Sequence, residues 1–306
     1  LIPPQRMTVA SLLKEHGYKT GCVGKWHLGL DWTTTNGKKP SHRHDDPGEH
    51  VDLTGPVNGG PNTVGFDYSF IIPASLDMFP YVYVENDRVT AQPNRETVNS
   101  GQKFWRKGPT GADFEHEQVL PKLTEKAVEF VNQHAGDPFF LYFPLPAPHT
   151  PILPTKEFLG KSKTTIYGDF VLQCDWTVGQ ILKALKENNI EDNTIIIFTS
   201  DNGCSPTARF EELEEFGHDP SYVFRGHKAD IYEGGHRIPF LVRWPEAVQP
   251  NQENKTTVCL TDLLATCADL CNTRLPDDAG EDSASLLPLL LNEPADNRGR
   301  EAIVHH

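Results

Sequence analysis

The sequence predicts an α/β protein with a mostly parallel central sheet sandwiched by helices. Short apolar runs of strand length, such as FFLYF at 139–143 and PFLVRW at 239–244, alternate with longer segments of helical periodicity. This alternation is typical of parallel sheets, whose strands are covered on both faces by the intervening helices. A chain of 306 residues that is 37% hydrophobic also has enough apolar side chains for a sizeable core.

The individual elements follow from the spacing of apolar residues. TVASLLKEHG, residues 8–17, predicts a helix because Val9, Leu12 and Leu13 recur at helical spacing and Gly17 is suited to the C-terminal cap. The other elements predicted in this way are three helices, at 117–134, 167–189 and 260–270, and one strand at 194–199.

Residues 31–64 are polar, rich in Gly, Pro and His, and show no periodicity, which predicts a long surface loop. We expect this loop to lie within one domain that spans residues 1–306. The chain opens on LIPPQRMTVASLLKEHG and closes on REAIVHH, and neither end has the signals of a natural terminus. We therefore expect a fold that is incomplete at both ends.

Composition excludes several classes of function. The net charge of −14 argues against binding nucleic acid, which requires basic surfaces, although a small anion can still bind in a local cationic pocket. No apolar run is long enough to span a bilayer, and residues 1–20 lack the features of a signal peptide. The six cysteines show no CxxC spacing, so neither a zinc site nor a disulfide scaffold is predicted.

The segment TSDNG, residues 199–203, ends a predicted strand and has two interpretations. Asp201, Asn202 and Gly203 are typical turn residues, because the two side chains bond to nearby backbone and glycine accepts a positive φ. The same oxygens at the carboxyl end of a strand also suit a hard cation. Taken alone, the pentapeptide favours the turn.

Three further segments carry polar side chains beside predicted strands. GCVGKWHLG places Lys25 and His27 two residues apart, on one side of an extended segment. PLPAPHTPILP holds His149 within a frame of prolines, which fix φ. The segment 225–239, RGHKADIYEGGHRIP, carries a basic cluster made of Arg225, His227, Lys228, His236 and Arg237. Each segment alone is compatible with solvated or packed side chains, but together they predict a cationic pocket beside an acidic ligand pair, which suits a tetrahedral anion.

Five segments, in this order and at this spacing, resemble the sulfatase family of the alkaline-phosphatase superfamily: GYKTGCVGKWHLG, GFDYSFIIPASLD, PLPAPHTPILP, TSDNG and RGHKADIYEGGHRIP. The resemblance covers residues 8–245. It implies an alkaline-phosphatase-like fold, and it implies that the chain is the central portion of a sulfatase catalytic domain.

The resemblance also assigns roles to residues of this chain. Asp201 and Asn202 are implied as ligands of Ca²⁺ or Mg²⁺, and Lys25 as a contact of the sulfate oxygens. His27 is implied to contact the hydroxyl of the nucleophile, and His149 with Lys228 to contact the sulfate and the leaving oxygen. The substrate-binding candidates are Ser75, Asp77, His236 and Arg237. An imidazolium that protonates the leaving oxygen, with cations on the other oxygens, is chemically suited to sulfate transfer.

The implied reaction is the hydrolysis of sulfate esters of aryl or carbohydrate substrates. In the family a formylglycine, made from Cys or Ser in a Cys/Ser-x-Pro-x-Arg motif, precedes the lysine–histidine segment, so we expect it upstream of this chain. CSPTAR at 204–209 has its arginine displaced by one residue and follows the metal-ligand pair, so it is not expected to serve. We therefore expect the fragment alone to be inactive and to bind metal poorly.

Two alternatives stay open on the sequence. One is a phosphate mono- or diester hydrolase of the same superfamily, with a Ser or Thr nucleophile. The other is an inactive module that binds sulfated glycans. The expected partner is a small sulfated sugar or aryl sulfate, and the loop at 31–64 with the aromatic stretch MFPYVYVEND at 78–87 is expected to contact its alcohol part. The resemblance further implies export to the periplasm, the medium or a lysosome.

Overall fold

The computed structural model describes residues 2–3, 5–38, 50–293 and 302–304. Two compact units, described separately below, are drawn from residues 1–6 and 18–184 (unit one) and from residues 7–17 and 185–306 (unit two). The strands are β1 (Lys19–Lys25), β2 (Asp31–Trp32), β3 (Val57–Asn58), β4 (Tyr68–Ile72), β5 (Val84–Glu85), β6 (Arg88–Val89), β7 (Pro93–Asn99), β8 (Trp105–Gly111), β9 (Phe139–Tyr142), β10 (Ile196–Thr199) and β11 (Phe240–Arg243).

The α-helices are α1 (Val9–Glu15), α2 (Val119–Gln133), α3 (Ile166–Glu187), α4 (Phe210–Glu214), α5 (Glu233–His236), α6 (Asp262–Leu270) and α7 (Leu287–Leu290). Within the described ranges, none of them has the length and apolar character that a membrane crossing requires. Each helix and strand predicted from the sequence is present in the structure, and its ends differ from the predicted ones by a few residues.

Unit one contains a five-stranded sheet in the order β6-β5-β4-β1-β9. Strand β1 pairs in parallel with both β4 and β9, whereas β4–β5 and β5–β6 are antiparallel. The predicted α/β fold is confirmed, but the sheet is mixed rather than mostly parallel. The change of direction lies between β4 and β5, and β5 is followed by β6 through a two-residue hairpin turn in which Asn86 has a φ of 55°.

Helix α2 packs against β1, β4 and β9 and supplies much of the core of unit one. Its buried positions include Leu123, Ala127 and Phe130, which recur at helical spacing and form the apolar face. The helix lies very close to the sheet at Gly21, where a Cβ atom would come within 2.6 Å of the Phe130 ring. A side chain at position 21 would therefore have to displace the Phe130 ring.

Residues 81–84 of the aromatic stretch 78–87 contribute to this core and not to an exposed wall. Tyr81 and Tyr83 are only 1% and 2% exposed, and their rings lie 6.2 Å and 4.9 Å from the ring of Phe114. The intervening Val82 and Val84 are fully buried as well. Both faces of residues 81–84 are covered, so these four positions do not form the expected substrate-facing wall. Met78 and Phe79 are partly exposed, and their contact with the alcohol part of a substrate stays a prediction.

The predicted loop at 31–64 includes a short antiparallel pair. Strand β2 pairs with β3, so that Asp31 lies opposite Asn58. The Thr33 hydroxyl donates to the carbonyl of Pro56 at 2.7 Å and closes the same pair. The central part of the predicted loop, residues 39–49, lies outside the described residues.

His116 is buried among aromatic rings beside the β7–β8 hairpin. Its ring stacks on Trp105 at 3.9 Å between centroids and meets the Tyr81 ring edge-on at 4.5 Å. Burial, with a smaller contribution from the positive charge of Arg95, lowers the pKa of His116 to about 4. Among the described residues, its buried Nε2 has no hydrogen-bond partner, so a proton there would be poorly solvated.

We expect His116 to make unit one sensitive to acid. In the unfolded chain a histidine titrates near its ordinary pKa of 6.5, so as the pH falls from 6.5 towards 4 the unfolded state takes up a proton before the folded state does. The free energy of unfolding should therefore drop by about 2.5 kcal/mol between pH 7.5 and pH 4.5 through this residue. Urea unfolding followed by tryptophan fluorescence at the two pH values measures the drop.

The matched comparison is His116→Gln against His218→Gln, because His218 is exposed. His116→Gln should flatten the pH dependence, whereas His218→Gln should leave it as in the unchanged chain. Equal pH dependence in the two variants would contradict the assignment.

Unit two contains α1, whose first turn is closed by a capping box. The Thr8 hydroxyl accepts from the Ser11 amide at 3.0 Å, and the Ser11 hydroxyl accepts from the Thr8 amide at 2.9 Å. Gly17, with a φ of +85°, follows the helix, as its sequence predicts. Helix α1 contacts α6, and strands β10 and β11 form an antiparallel pair.

All six cysteines lie in the described ranges, and all are free thiols. Cys267, near the end of α6, has its pKa raised to about 12 because burial disfavours the thiolate.

Candidate functional site

In unit one, Lys25 is the last residue of β1. Its amide donates to the Pro144 carbonyl just beyond β9 at 2.8 Å, and the His27 amide donates to the Pro73 carbonyl just beyond β4 at 3.1 Å. Because the three strands are parallel, these residues all lie at the carboxyl edge of the sheet. The extended geometry predicted for the lysine–histidine segment is wrong at His27, which has a φ of 51° and is exposed.

Gly24 allows the close contact between β1 and the segment after β9. Its φ is +139°, and a Cβ atom at this position would lie 2.1 Å from the Pro144 carbonyl oxygen. Only glycine fits there, because both the conformation and the space exclude a side chain. The position of Lys25 at the sheet edge thus depends on the residue before it.

His149 and Ser75 lie together in unit one. The Nδ1 atom of His149 is 2.6 Å from the Thr150 carbonyl oxygen and 3.2 Å from the Ser75 hydroxyl. A carbonyl oxygen only accepts hydrogen bonds, so the shorter contact favours the tautomer with a proton on Nδ1. Nε2 is then the nitrogen that exchanges protons when the ring changes charge.

Asp77 is held in a salt bridge that the sequence did not predict. Arg106 Nη1 donates to Asp77 Oδ2 at 2.6 Å and to the Asp77 carbonyl at 3.0 Å. Burial alone raises the pKa of Asp77, but the Ser75 hydroxyl and the hydrogen bond from Arg106, with the charges of Arg106 and His149, outweigh it and hold the pKa below its usual value. Asp77 is therefore a carboxylate at neutral pH.

In unit two, the Asp201–Asn202 loop is tied to the basic segment 225–237 by two backbone hydrogen bonds. The Gly203 amide donates to the Gly235 carbonyl, and the Lys228 amide donates to the Cys204 carbonyl, each at 2.8 Å. A Cβ atom on Gly203 would lie 1.8 Å from the Gly234 carbonyl oxygen, so the two loops meet backbone to backbone. Asp201, Asn202 and Lys228 thus belong to one local assembly.

Two other predicted residues of unit two have local partners. His236 Nε2 lies 3.0 Å from the Ile231 carbonyl oxygen. Arg237 pairs with Glu233 Oε2 at 2.9 Å, and its guanidinium lies 4.6 Å from the centre of the Phe224 ring. The substrate-binding role expected for these two residues stays a prediction.

The oxygens of Asp201 and Asn202 fit a hard metal ion in chemical type. Asn202 Nδ2 donates to the Gly203 carbonyl at 3.0 Å, which leaves the amide oxygen as the atom available for coordination, and Asp201 is exposed. A hard dication takes about six oxygens. In the ranges that the structure describes, no three His, Cys, Asp or Glu side chains form a metal-binding group, so this pair is at most part of a coordination shell.

The predicted residues fall into two groups. Lys25, His27, Ser75, Asp77 and His149 lie in unit one, and the rest lie in unit two. That both groups surround one anion stays a prediction. The sequence analysis did not single out Arg106, because its strand β8, with the sequence WRKGPTG, lacks a strong apolar pattern. A weak sign of the strand pair that carries Arg106 was the alternating polar run RETVN in the partner strand β7.

A family model described as Sulfatase matches residues 1–273. The chain is 37% identical over 338 aligned residues to an N-acetylgalactosamine-6-O-sulfatase of Bacteroides thetaiotaomicron, covering 97% of this chain and 62% of that protein. It is 34% identical to an arylsulfatase of Hemicentrotus pulcherrimus, covering 96% of this chain and 48% of that protein. The chain thus spans about half to two thirds of the length of these relatives.

The solved structures agree with this comparison. A structure from a study of glycosaminoglycan metabolism by Bacteroides thetaiotaomicron matches with a TM-score of 0.81 and 35% identity, covering 98% of this chain and 67% of that chain. A phosphonate monoester hydrolase from Silicibacter pomeroyi matches at 15% identity with a TM-score of 0.52, covering 96% of this chain and 63% of that chain. The second match shows a shared fold alone.

Proposed function

Because the chain belongs to the sulfatase family, we propose that the complete protein containing it hydrolyses sulfate esters. The observation that carries the proposal is that every candidate residue, from Lys25 to Arg237, lies within the residues matched by the family model. The local geometry supports it, since Lys25 lies at a carboxyl edge of parallel strands and Lys228 lies in the loop tied to the Asp201–Asn202 segment.

The roles proposed for the chain's own residues follow from their chemistry. Lys25 and Lys228 offer ammonium groups to the non-bridging sulfate oxygens, whose negative charge they neutralise. His149, with its Nδ1 proton directed to the Thr150 carbonyl, offers Nε2 to the leaving oxygen and protonates it as the sulfur–oxygen bond breaks. His27 is proposed to contact the hydroxyl of the nucleophile, and Ser75 to line the same pocket.

Asp201 and Asn202 are proposed to hold Ca²⁺ or Mg²⁺ with their side-chain oxygens. When bound, such an ion supplies positive charge to the sulfate oxygens. Sulfatases as a family use a metal ion and a formylglycine, and the Cys/Ser-x-Pro-x-Arg sequence that yields the formylglycine does not occur in these 306 residues. We propose that the nucleophile and the remaining metal ligands come from a segment outside them.

Carbohydrate sulfates are the proposed substrates. Two relatives at 37% and 31% identity are named as sulfatases acting at the 6-position of N-acetylgalactosamine, so an N-acetylgalactosamine 6-sulfate unit is the first candidate. His236 and Arg237 are proposed to contact the sugar. Export of the protein is expected from the family resemblance.

The proposal is tested with the complete protein, produced together with a formylglycine-generating enzyme and supplied with Ca²⁺. N-acetylgalactosamine 6-sulfate, 4-nitrophenyl sulfate and 4-nitrophenyl phosphate are the three substrates to compare. We expect sulfate release from the first two at rates at least about tenfold above phosphate release. Faster release of phosphate would identify a phosphoesterase, and tight binding of the sulfated sugar without turnover would identify a binding module.

The 306-residue chain is assayed beside the complete protein as a second test. Because the proposed nucleophile is outside it, we expect the chain alone to release no sulfate above background and to bind Ca²⁺ weakly in calorimetry. Robust turnover by the chain alone would refute the placement of the nucleophile outside these residues.

A further inference from the structure

Four polar side chains follow one another in unit one: Arg106, Asp77, Ser75 and His149. The salt bridge between Arg106 and Asp77 is at one end of this row. The backbone fixes the first part of this row. The Arg106 amide donates to the Asp77 carbonyl at 3.3 Å, and the Met78 amide donates to the Ser75 carbonyl at 2.9 Å, which closes a turn around Asp77. Ser75 itself is only 4% exposed, so its hydroxyl must find partners within the protein.

The hydrogen-bond directions along this row are set by chemistry. The Asp77 carboxylate can only accept, and Arg106 occupies its Oδ2 at 2.6 Å. Within the described part of the chain, Asp77 Oδ1 is buried and has no hydrogen-bond partner, and the Ser75 hydroxyl, two residues earlier in the same turn, helps to lower the pKa of Asp77. A Ser75 proton directed to Oδ1 would satisfy this buried acceptor.

A hydroxyl that donates to Asp77 presents its lone pairs elsewhere. Ser75 Oγ lies 3.2 Å from His149 Nδ1, so it faces that nitrogen as an acceptor. The Thr150 carbonyl, at 2.6 Å, is a second acceptor on the same nitrogen. Two acceptors on Nδ1 favour the tautomer with the proton on Nδ1 and leave Nε2 as the basic nitrogen.

We propose that Arg106 and Asp77 are positioning residues for His149, which fix its tautomer and ring orientation through the hydroxyl of Ser75. This inference rests on the proposed function, in which His149 protonates the leaving oxygen through Nε2. A histidine with that role carries its remaining proton on Nδ1 in the neutral state. It replaces direct substrate binding as the role of Asp77, and it adds Arg106, which lies 29 residues away in sequence.

The test uses nuclear magnetic resonance of the 306-residue chain with ¹³C,¹⁵N-labelled histidine, above the pH at which imidazoles are protonated. The His149 signals are assigned by their loss in His149→Gln. In the unchanged chain we expect the Nδ1-protonated tautomer of His149 to dominate. In Asp77→Asn the new amide can donate to Ser75, and the Ser75 proton then turns to His149 Nδ1. The ratio of the Nδ1-protonated to the Nε2-protonated form of His149 should therefore fall by about fivefold.

Arg106→Gln should shift the ratio in the same direction, because Asp77 loses its anchor, and Arg106→Lys should restore part of it. Glu96→Gln is the matched control: it breaks the 2.9 Å pair with Lys107 on the same hairpin, where both side chains are largely exposed, and should leave the ratio unchanged.

The proposal is overturned if folded Asp77→Asn and Arg106→Gln keep the original ratio, or if Glu96→Gln shifts it equally. Should Asp77→Asn fail to fold, Arg106→Gln and Ser75→Ala decide the result alone, since Ser75→Ala removes one of the two acceptors and must also lower the ratio. No substrate enters the measurement, so its failure is distinct from a failure of the proposed sulfatase activity.

Discussion

Replacing Gly203 by alanine is expected to destabilise unit two by about 4 kcal/mol and to release the Asp201–Asn202 loop from the segment that carries Lys228. The added Cβ atom would lie 1.8 Å from the Gly234 carbonyl oxygen and 2.8 Å from the Gly234 carbonyl carbon. Both neighbours are backbone atoms, so no side-chain rotation relieves the clash. The loops must separate.

Separation breaks identifiable hydrogen bonds. The Gly203 amide loses the Gly235 carbonyl, and the adjoining bond from the Lys228 amide to the Cys204 carbonyl is strained. Urea unfolding measures the loss of stability, and hydrogen exchange at the Lys228 amide reports the opening of the loops. We expect protection at that amide to fall at least about a hundredfold, which corresponds to about 3 kcal/mol of local opening.

Gly179→Ala is the matched control, because Gly179 lies within α3 and a Cβ atom there would meet nothing within 4 Å. Alanine is the better helix former, so this variant should gain about 0.5–1 kcal/mol. The two substitutions are chemically identical and should have opposite signs. A loss in both variants, or in neither, would contradict the backbone contact at Gly203.

The elements that sequence predicts well are those whose signal is local. FFLYF at 139–143 is apolar throughout, and β9 occupies Phe139–Tyr142 because such a run gains from burial within a sheet. Helix α1 carries its own start and stop signals at Thr8 and Gly17, and it occupies Val9–Glu15. In both cases the residues that decide the structure lie within the element itself.

The features that sequence did not predict depend on distant partners. The alternation of Tyr81 and Tyr83 with valines marks a strand, but Phe114 and the helix that follows it decide that both tyrosines are buried. The pairing of Arg106 with Asp77 similarly requires β8 to run beside the turn at 75–78, and that contact cannot be derived from either segment. The sequence therefore predicts Asp77 as a substrate contact, which stays a prediction, but gives no sign of its arginine partner.

His149→Ala in the complete protein is expected to reduce the turnover of a carbohydrate sulfate by about 10²–10⁴-fold. The reason is the proton that the imidazolium gives to the leaving oxygen, since a sugar alkoxide is a strongly basic leaving group. The Nδ1 contacts with Thr150 and Ser75 hold the ring in one orientation, so a buffer molecule should replace it poorly. Steady-state rates of sulfate release measure the effect.

The leaving group separates proton donation from simple binding. 4-Nitrophenolate leaves without a proton, so the same variant should lose much less activity on 4-nitrophenyl sulfate than on the sugar sulfate. A residue that only bound the sulfate group would affect both substrates equally, because that group is common to them. His218→Ala, at an exposed position, is the control and should change neither rate. Equal losses on the two substrates would show that His149 binds sulfate rather than protonating the leaving oxygen.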